Sequence, residues 1–357
     1  MNKTNKVIII VGSNSIHTQR FVQAICNHFD KIVFVTNEFS HTPLNAICHV
    51  ANFKLNNVFA PKQIAKIIKT YLISETQLII HIHQANSYAY HTIKAIKKFH
   101  IPAKTILTTW GSDILVLPNK NCLLKTMVKY NLANSDIITS DSLYMSSKIY
   151  ELLNKDHDVR TINFGIKNFP TPVLSSSKDN LILSNRLHKP LYRIDKIITA
   201  FSKLITNNSD YQKYTLVMVA GGTESAKLRQ IAQKLGLTDK QIIFTGMISY
   251  NELQNWYKKA KIFISVPESD ATSLSVLEAM AYGCYPILSN IPANLEWVIN
   301  QVNGSICQNL DKLDQEIKYA INQISIANTY EKLISFNHQL IAKKAQFEQN
   351  IQEFLQL

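Results

Sequence analysis

The stretch Ser269–Asn290, SDATSLSVLEAMAYGCYPILSN, decides the fold. From Ser273 to Tyr282 it is rich in helix formers: Leu274, Leu277, Ala279, Met280 and Ala281. Thr272 and Ser273 are residue types that cap helix N-termini. Gly283 stands where a helix ends in a left-handed turn, and Pro286 prevents continuation. YPILSN then reads as a short buried strand. Asp270 precedes the helix, and Glu278 lies about 1.5 turns inside it. A helix start offers unpaired amides and the positive end of a dipole, which suits an anion. A phosphate centre with hydroxyls on both sides fits that layout, and a nucleotide sugar is such a ligand. The plain alternative is an ordinary core helix with Glu278 in solvent.

The pattern repeats outward. KVIIIVG, KIVFVTN, QLIIHIHQ, AKTILTT, DIITSDS and DVRTINFGI read as strands. Helices such as APKQIAKIIKTYLI, SYAYHTIKAIKKFH and LYMSSKIYELLN alternate with them. A second series, LILSNRL, YTLVMVAGG, QIIFTGM, IFISVP and YPILSN, follows a Pro- and Ser-rich stretch at 167–180 that reads as a linker. Strands alternating with helices predict parallel sheets covered on both faces. The expected class is α/β, with a first Rossmann-like domain at 1–168 and a second at 169–335. A C-terminal helix over 336–357 is expected to pack back on the first. Ligands on such sheets sit at the carboxyl ends of the strands, so two facing units would make a cleft.

Composition narrows the class. Of 357 residues, 46% are hydrophobic, yet no apolar run approaches the ~18 residues that span a bilayer. The start, MNKTNKVIIIVGSNS, lacks a signal-peptide pattern, so a cytoplasmic location is expected. The five cysteines, at 26, 48, 122, 284 and 307, form no C-x-x-C pair, so buried free thiols are expected rather than a disulfide or zinc framework. The net charge of +13 is uneven: residues 1–168 carry 19 Lys and Arg against 9 Asp and Glu. That points to an anionic partner for the first half, namely membrane lipid, nucleic acid or a phosphorylated acceptor; the plain alternative is a solvated lysine surface. The basic residues are dispersed without an aromatic-basic module, which argues against nucleic acid.

Several stretches, in order, resemble the family 4 retaining glycosyltransferases of the two-domain GT-B fold. The family's acid-x7-acid word before EAMA-G-P reads DATSLSVLEAMAYGCYP here, with Asp270 where many members carry Glu. LILSNRLHKPLYRIDKIITAF, IIFTGMISYNELQNWYKKAKIFISVP and IPANLEWVINQVNG match further words of the second half. GSNSIHTQRF, TTWGSDIL, SDIITSDS and NFGI match weaker ones in the first.

The resemblance implies roles. Glu278 would hold the nucleotide ribose and Asp270 the donor sugar. The backbone around Thr272, Ser273 and Leu274 would meet the diphosphate. Arg186 matches the family's phosphate-binding arginine. The lysine expected five residues on is Leu191 here, leaving Lys189 and Arg193 as substitutes, of which Arg193 is preferred. Gly12 and Ser13 would face the donor phosphates. Gly246, Met247 and Ile248 would pack on the base. His17, His83, Trp110 and Asp113 are the acceptor-side candidates, with Trp110 standing where many members have histidine.

The expected reaction is retaining transfer of a hexose from a UDP- or GDP-type sugar to a lipid-linked or surface-polysaccharide acceptor, of lipopolysaccharide, O-antigen or capsule type. Neither metal nor cofactor is expected, and the enzyme would sit on the inner face of the cytoplasmic membrane. The alternatives are a nucleotide-sugar epimerase of similar fold and a non-catalytic nucleotide-sugar binder.

Overall fold

The computed structural model describes residues 6–39, 45–72 and 78–357. The chain forms two compact units, Met1–Phe164 with Glu348–Leu357, and Gly165–Phe347.

The first unit is a parallel sheet in the order β3-β2-β1-β4-β5-β6-β7. Its strands are β1 (Val7–Val11), β2 (Lys31–Thr36), β3 (Ile47–Val50), β4 (Ile79–His83), β5 (Lys104–Thr108), β6 (Ile137–Ser140) and β7 (Val159–Thr161). Its helices are α1 (Ile16–Ile25), α2 (Ala60–Thr70), α3 (Ser87–Lys98), α4 (Cys122–Ala133) and α5 (Leu143–Leu153). β1, with the sequence VIIIV, is buried along its whole length. A strand covered by helices on both faces needs an unbroken apolar run rather than alternation. The sequence reading omits β3, whose half-exposed ICHV carries no such run. The expected helix end at Ile73 and strand start at Gln77 lie outside the described residues.

The second unit is a parallel sheet in the order β10-β9-β8-β11-β12-β13. Its strands are β8 (Asp179–Ser184), β9 (Thr215–Val219), β10 (Ile242–Gly246), β11 (Ala260–Ser265), β12 (Tyr285–Ser289) and β13 (Ser305–Cys307). Its helices are α6 (Ile194–Asn207), α7 (Ser225–Lys234), α8 (Tyr250–Lys259), α9 (Leu274–Ala281), α10 (Pro292–Leu295), α11 (Leu313–Ser325) and α12 (Ala327–Lys344). Gly283 follows α9 with φ +81°, as a terminating glycine should.

Two boundaries differ from expectation. Residues 167–180 are not a bare linker. The Lys178 side chain is buried and donates to the carbonyls of Tyr257 (3.2 Å) and Ala260 (2.9 Å), and β8 already begins at Asp179. An ammonium out of water needs such acceptors, and they tie the segment to the second unit. Nor does 336–357 act as one returning helix. α12 stays in the second unit, where Tyr330 donates to the Gly283 carbonyl (2.9 Å) and Asn337 pairs with Asn303 (2.8 Å). Only the last helix, α13 (Phe347–Leu355), falls with the first unit from Glu348 on. There Phe354 stacks on Phe164 at 5.5 Å, and Asn350 donates to the Asn163 carbonyl at 2.8 Å. Of the five thiols, Cys284 and Cys307 are buried. Cys122 is exposed, contrary to the expectation for all five.

Candidate active site

In each sheet the strand order reverses once, between β1 and β4 and between β8 and β11. Loops leaving such neighbours diverge to opposite faces and open a crevice at their carboxyl ends. In the second unit, Arg186 leaves β8 and Asp270 follows β11. Arg186 Nη2 lies 2.6 Å from Asp270 Oδ2. Its Nη1 donates to the hydroxyls of Ser273 and of Ser275 (3.0 Å for the latter). The guanidinium also lies 4.4 Å from the centre of the Tyr192 ring. Burial pushes the Asp270 carboxyl above its ordinary range, while the Arg186 charge pulls it back.

Ser273 takes the N-cap position of α9, but its hydroxyl makes no capping bond. It serves Arg186 instead, which corrects the capping expectation. The first-turn amides at Leu274 and Ser275 have no acceptor within the helix. Thr272 is half-buried just before them. A fixed cation and a helix start are thus brought to one place.

Glu278 is buried, not solvated. Its Oε1 accepts from the Tyr250 hydroxyl (2.9 Å) and its Oε2 from the Tyr257 hydroxyl (3.1 Å). Tyr257 is fully buried, accepts from Asn185 Nδ2 (2.7 Å) and stacks on Tyr282. Burial first, and then the neighbouring carboxylate, raise the pKa of both tyrosines. Both hydroxyls therefore stay protonated and donate. The sequence reading missed Tyr250, Tyr257 and Asn185. The available signal was helical spacing: positions 250, 253 and 257 share one face of α8.

Gly246 ends β10, and Met247 and Ile248 form the loop that leads through Ser249 to α8 and Tyr250. Gly246 has φ +72° and Met247 is 74% exposed. Tyr250, the first residue of α8, ties the end of this loop to Glu278.

Arg193 is a correction. Its guanidinium donates to the carbonyls of Val266 (2.7 Å) and Pro267, so it braces the loop after β11. Lys189 is exposed and makes no ion pair among the described residues.

In the first unit, Gly12 follows β1 and packs on His83 at the end of β4. A Cβ at Gly12 would lie 2.9 Å from that of His83. Ser13 is half-buried beside it. His17 and His83 flank Trp110, with ring centres 5.1 and 5.6 Å away. His83 is fully buried; neither of its ring nitrogens, nor Trp110 Nε1, has a partner among the described residues. Burial holds the pKa of His17 and His83 below the ordinary value, so both rings are neutral near pH 7.

Asp113 is the second correction. Its carboxylate accepts from the amides of Ala85 (2.6 Å) and Trp110 (2.9 Å) and is buried. It shapes the turn that carries Trp110 and does not present an acceptor contact.

The family model for glycosyl transferases group 1 matches residues 166–338, and that for glycosyl transferase 4-like domains matches residues 6–142. The chain is 24% identical to an N-acetyl-alpha-D-glucosaminyl L-malate synthase of Bacillus anthracis over 64% of its length, and 25% identical to an O-antigen chain mannosyltransferase of Salmonella typhimurium over 62%. These alignments span 61% and 56% of the relatives' own lengths. An Anabaena protein, HepE, solved in complex with UDP and glucose, superposes with a TM-score of 0.77 at 13% identity, covering 98% of both chains. With both units matched by family models and the fold matched end to end, the chain belongs to the family 4 glycosyltransferases of the GT-B fold.

Proposed function

We propose that this protein moves a hexose from a nucleoside-diphosphate sugar to a lipid-linked or surface-polysaccharide acceptor, with retention at the anomeric carbon and without a metal, at the inner face of the cytoplasmic membrane. The observation that carries the reading is Arg186, set at the start of α9 between Asp270 and Ser273. Arg186, Lys189 and the helix start stabilise charge growing on the departing diphosphate. Glu278, steadied by two tyrosines, takes the ribose hydroxyls, and Asp270 orients the sugar. The bond from the anomeric carbon to the donor phosphate oxygen breaks. The acceptor oxygen bonds to that carbon on the same face, and its proton passes to the departing phosphate oxygen. His17, His83 and Trp110 line the acceptor side. The Anabaena complex favours UDP as the carrier, and the mannosyltransferase relative favours an O-antigen-type acceptor.

A thermal-shift screen with nucleoside diphosphates and their sugars tests the reading, because a ligand of the native state raises the melting point. One diphosphate should stabilise the protein and its sugar should be consumed only with an acceptor. Interconversion of the sugar without acceptor means an epimerase, and binding without turnover means a binder.

A further inference from the structure

A sharply two-faced helix of the first unit is α2. Val58 and Phe59, just before that helix, are 80% and 74% exposed. Phe59, Lys62, Lys66 and Lys69 recur at the spacing of one helix face. The three lysines are exposed and make no ion pair among the described residues. With Phe99 they line an open groove of about 690 Å³, and Lys69 Nζ lies 5.6 Å from the centre of the Phe99 ring. From Phe39 to Ser112 the sequence holds eight lysines and one acid, Glu75. A second, apolar groove of about 310 Å³, lined by Leu55, Tyr90 and Leu123 among others, borders the same loop before α2.

We infer that this face docks on a bilayer of anionic phospholipid, with Val58 and Phe59 entering the acyl boundary and Lys62, Lys66 and Lys69 at the level of the phosphates. This deepens the membrane-facing part of the proposed function and does not depend on the transfer chemistry. Charge complementarity carries it, together with the mix of side chains. Apolar tips beside one lysine per turn match an interface that is apolar inside and anionic at its rim. A nucleic acid would match the charge but leave Val58 and Phe59 in water, and neither α2 nor α3 offers an arginine for its phosphates.

Sedimentation of the full chain with vesicles of phosphatidylcholine, alone and mixed with phosphatidylglycerol, tests this at low and high salt. Mixed vesicles should bind, plain ones should not, and salt should weaken binding. A lysine near an anionic surface is worth about fivefold, so the triple variant Lys62→Gln, Lys66→Gln, Lys69→Gln should lose on the order of a hundredfold. Phe59→Ser should weaken binding while leaving its salt dependence intact. Unfolding curves confirm that the variants fold. Wild-type vesicle binding by both variants overturns the proposal. So does concentration-dependent dimerisation abolished by Phe59→Ser, which assigns the face to a second copy, or tighter binding to a duplex DNA probe than to mixed vesicles. Calorimetric titration with the nucleoside diphosphate on the same samples reports the donor site separately, and neither variant should change it.

Discussion

Arg186 and Asp270, 84 residues apart in the chain, are held 2.6 Å apart where the strand order of the second sheet reverses. The side chains are only 10% and 21% exposed. Burial pushes the Asp270 carboxyl up, and the neighbouring guanidinium opposes that shift. The pairing implies that the two acids of the α9 segment have different tasks.

Asp270→Asn should leave binding of the bare nucleoside diphosphate unchanged or tighter, because Arg186 loses its counter-charge. Transfer from the intact donor should fall, because the sugar is no longer oriented. Glu278→Gln should weaken the diphosphate about tenfold or more, since hydrogen bonds to a charged group are worth ~1.5–3 kcal/mol. Calorimetry of both variants beside transfer rates decides. The reverse pattern, with Asp270→Asn losing the diphosphate and Glu278→Gln keeping it, removes the assignment.

Tyr257→Phe should act through Glu278. It deletes one donor to Oε2 and leaves Asn185 Nδ2 without its acceptor. An unsatisfied buried polar group costs about 1–3 kcal/mol, so the melting point should drop by several degrees. The diphosphate should also bind more weakly, while Tyr250→Phe, at an exposed position, should cost less stability. A Tyr257→Phe enzyme with lowered stability but unchanged diphosphate affinity would make this tyrosine purely structural.

The two candidate cations separate in the same way. Lys189→Gln should weaken the diphosphate several-fold in a salt-dependent manner and leave unfolding unchanged. Arg193→Gln should lower the melting point, because it strips two charge-assisted bonds from the loop that leads to Asp270. If Arg193→Gln weakens the diphosphate at unaltered stability while Lys189→Gln does nothing, the second cation has been misplaced.

What the sequence disclosed and what it hid follow from the range of the contacts. The helix from Ser273, its stop at Gly283 and the run VIIIV are local patterns, and the fold class could be read from them. The Asp113 cradle could not, since it depends on the Ala85 amide 28 residues away. Arg193 misled because charge is visible in sequence whereas its φ of +50° and the carbonyls it serves are not. Ser273 was rightly placed at the helix start, but only the fold shows that its hydroxyl faces Arg186.

The first unit carries its own pH dependence. His81 and His83 are buried and neutral: burial lowers His81 to about 3 and His83 well below its ordinary value. In the unfolded chain both titrate near ~6.5. Above that pH neither state is protonated, and the full stability is present. As pH falls below it the unfolded state binds two protons that the folded state refuses. Stability is then lost at up to about 2.7 kcal/mol per pH unit for the pair, and the loss continues toward the folded value of His81. Melting curves between neutral and mildly acid pH should show this steep decline. His83→Phe removes one of the two protons and sits among Phe21, Phe164 and Trp110, which accept an aromatic ring. It should roughly halve the acid slope, with little change at neutral pH and a higher melting point in acid. A His83→Phe protein with the wild-type slope would mean that this imidazole is already charged or solvated in the native state, and would remove the basis for treating it as a neutral acceptor-side group.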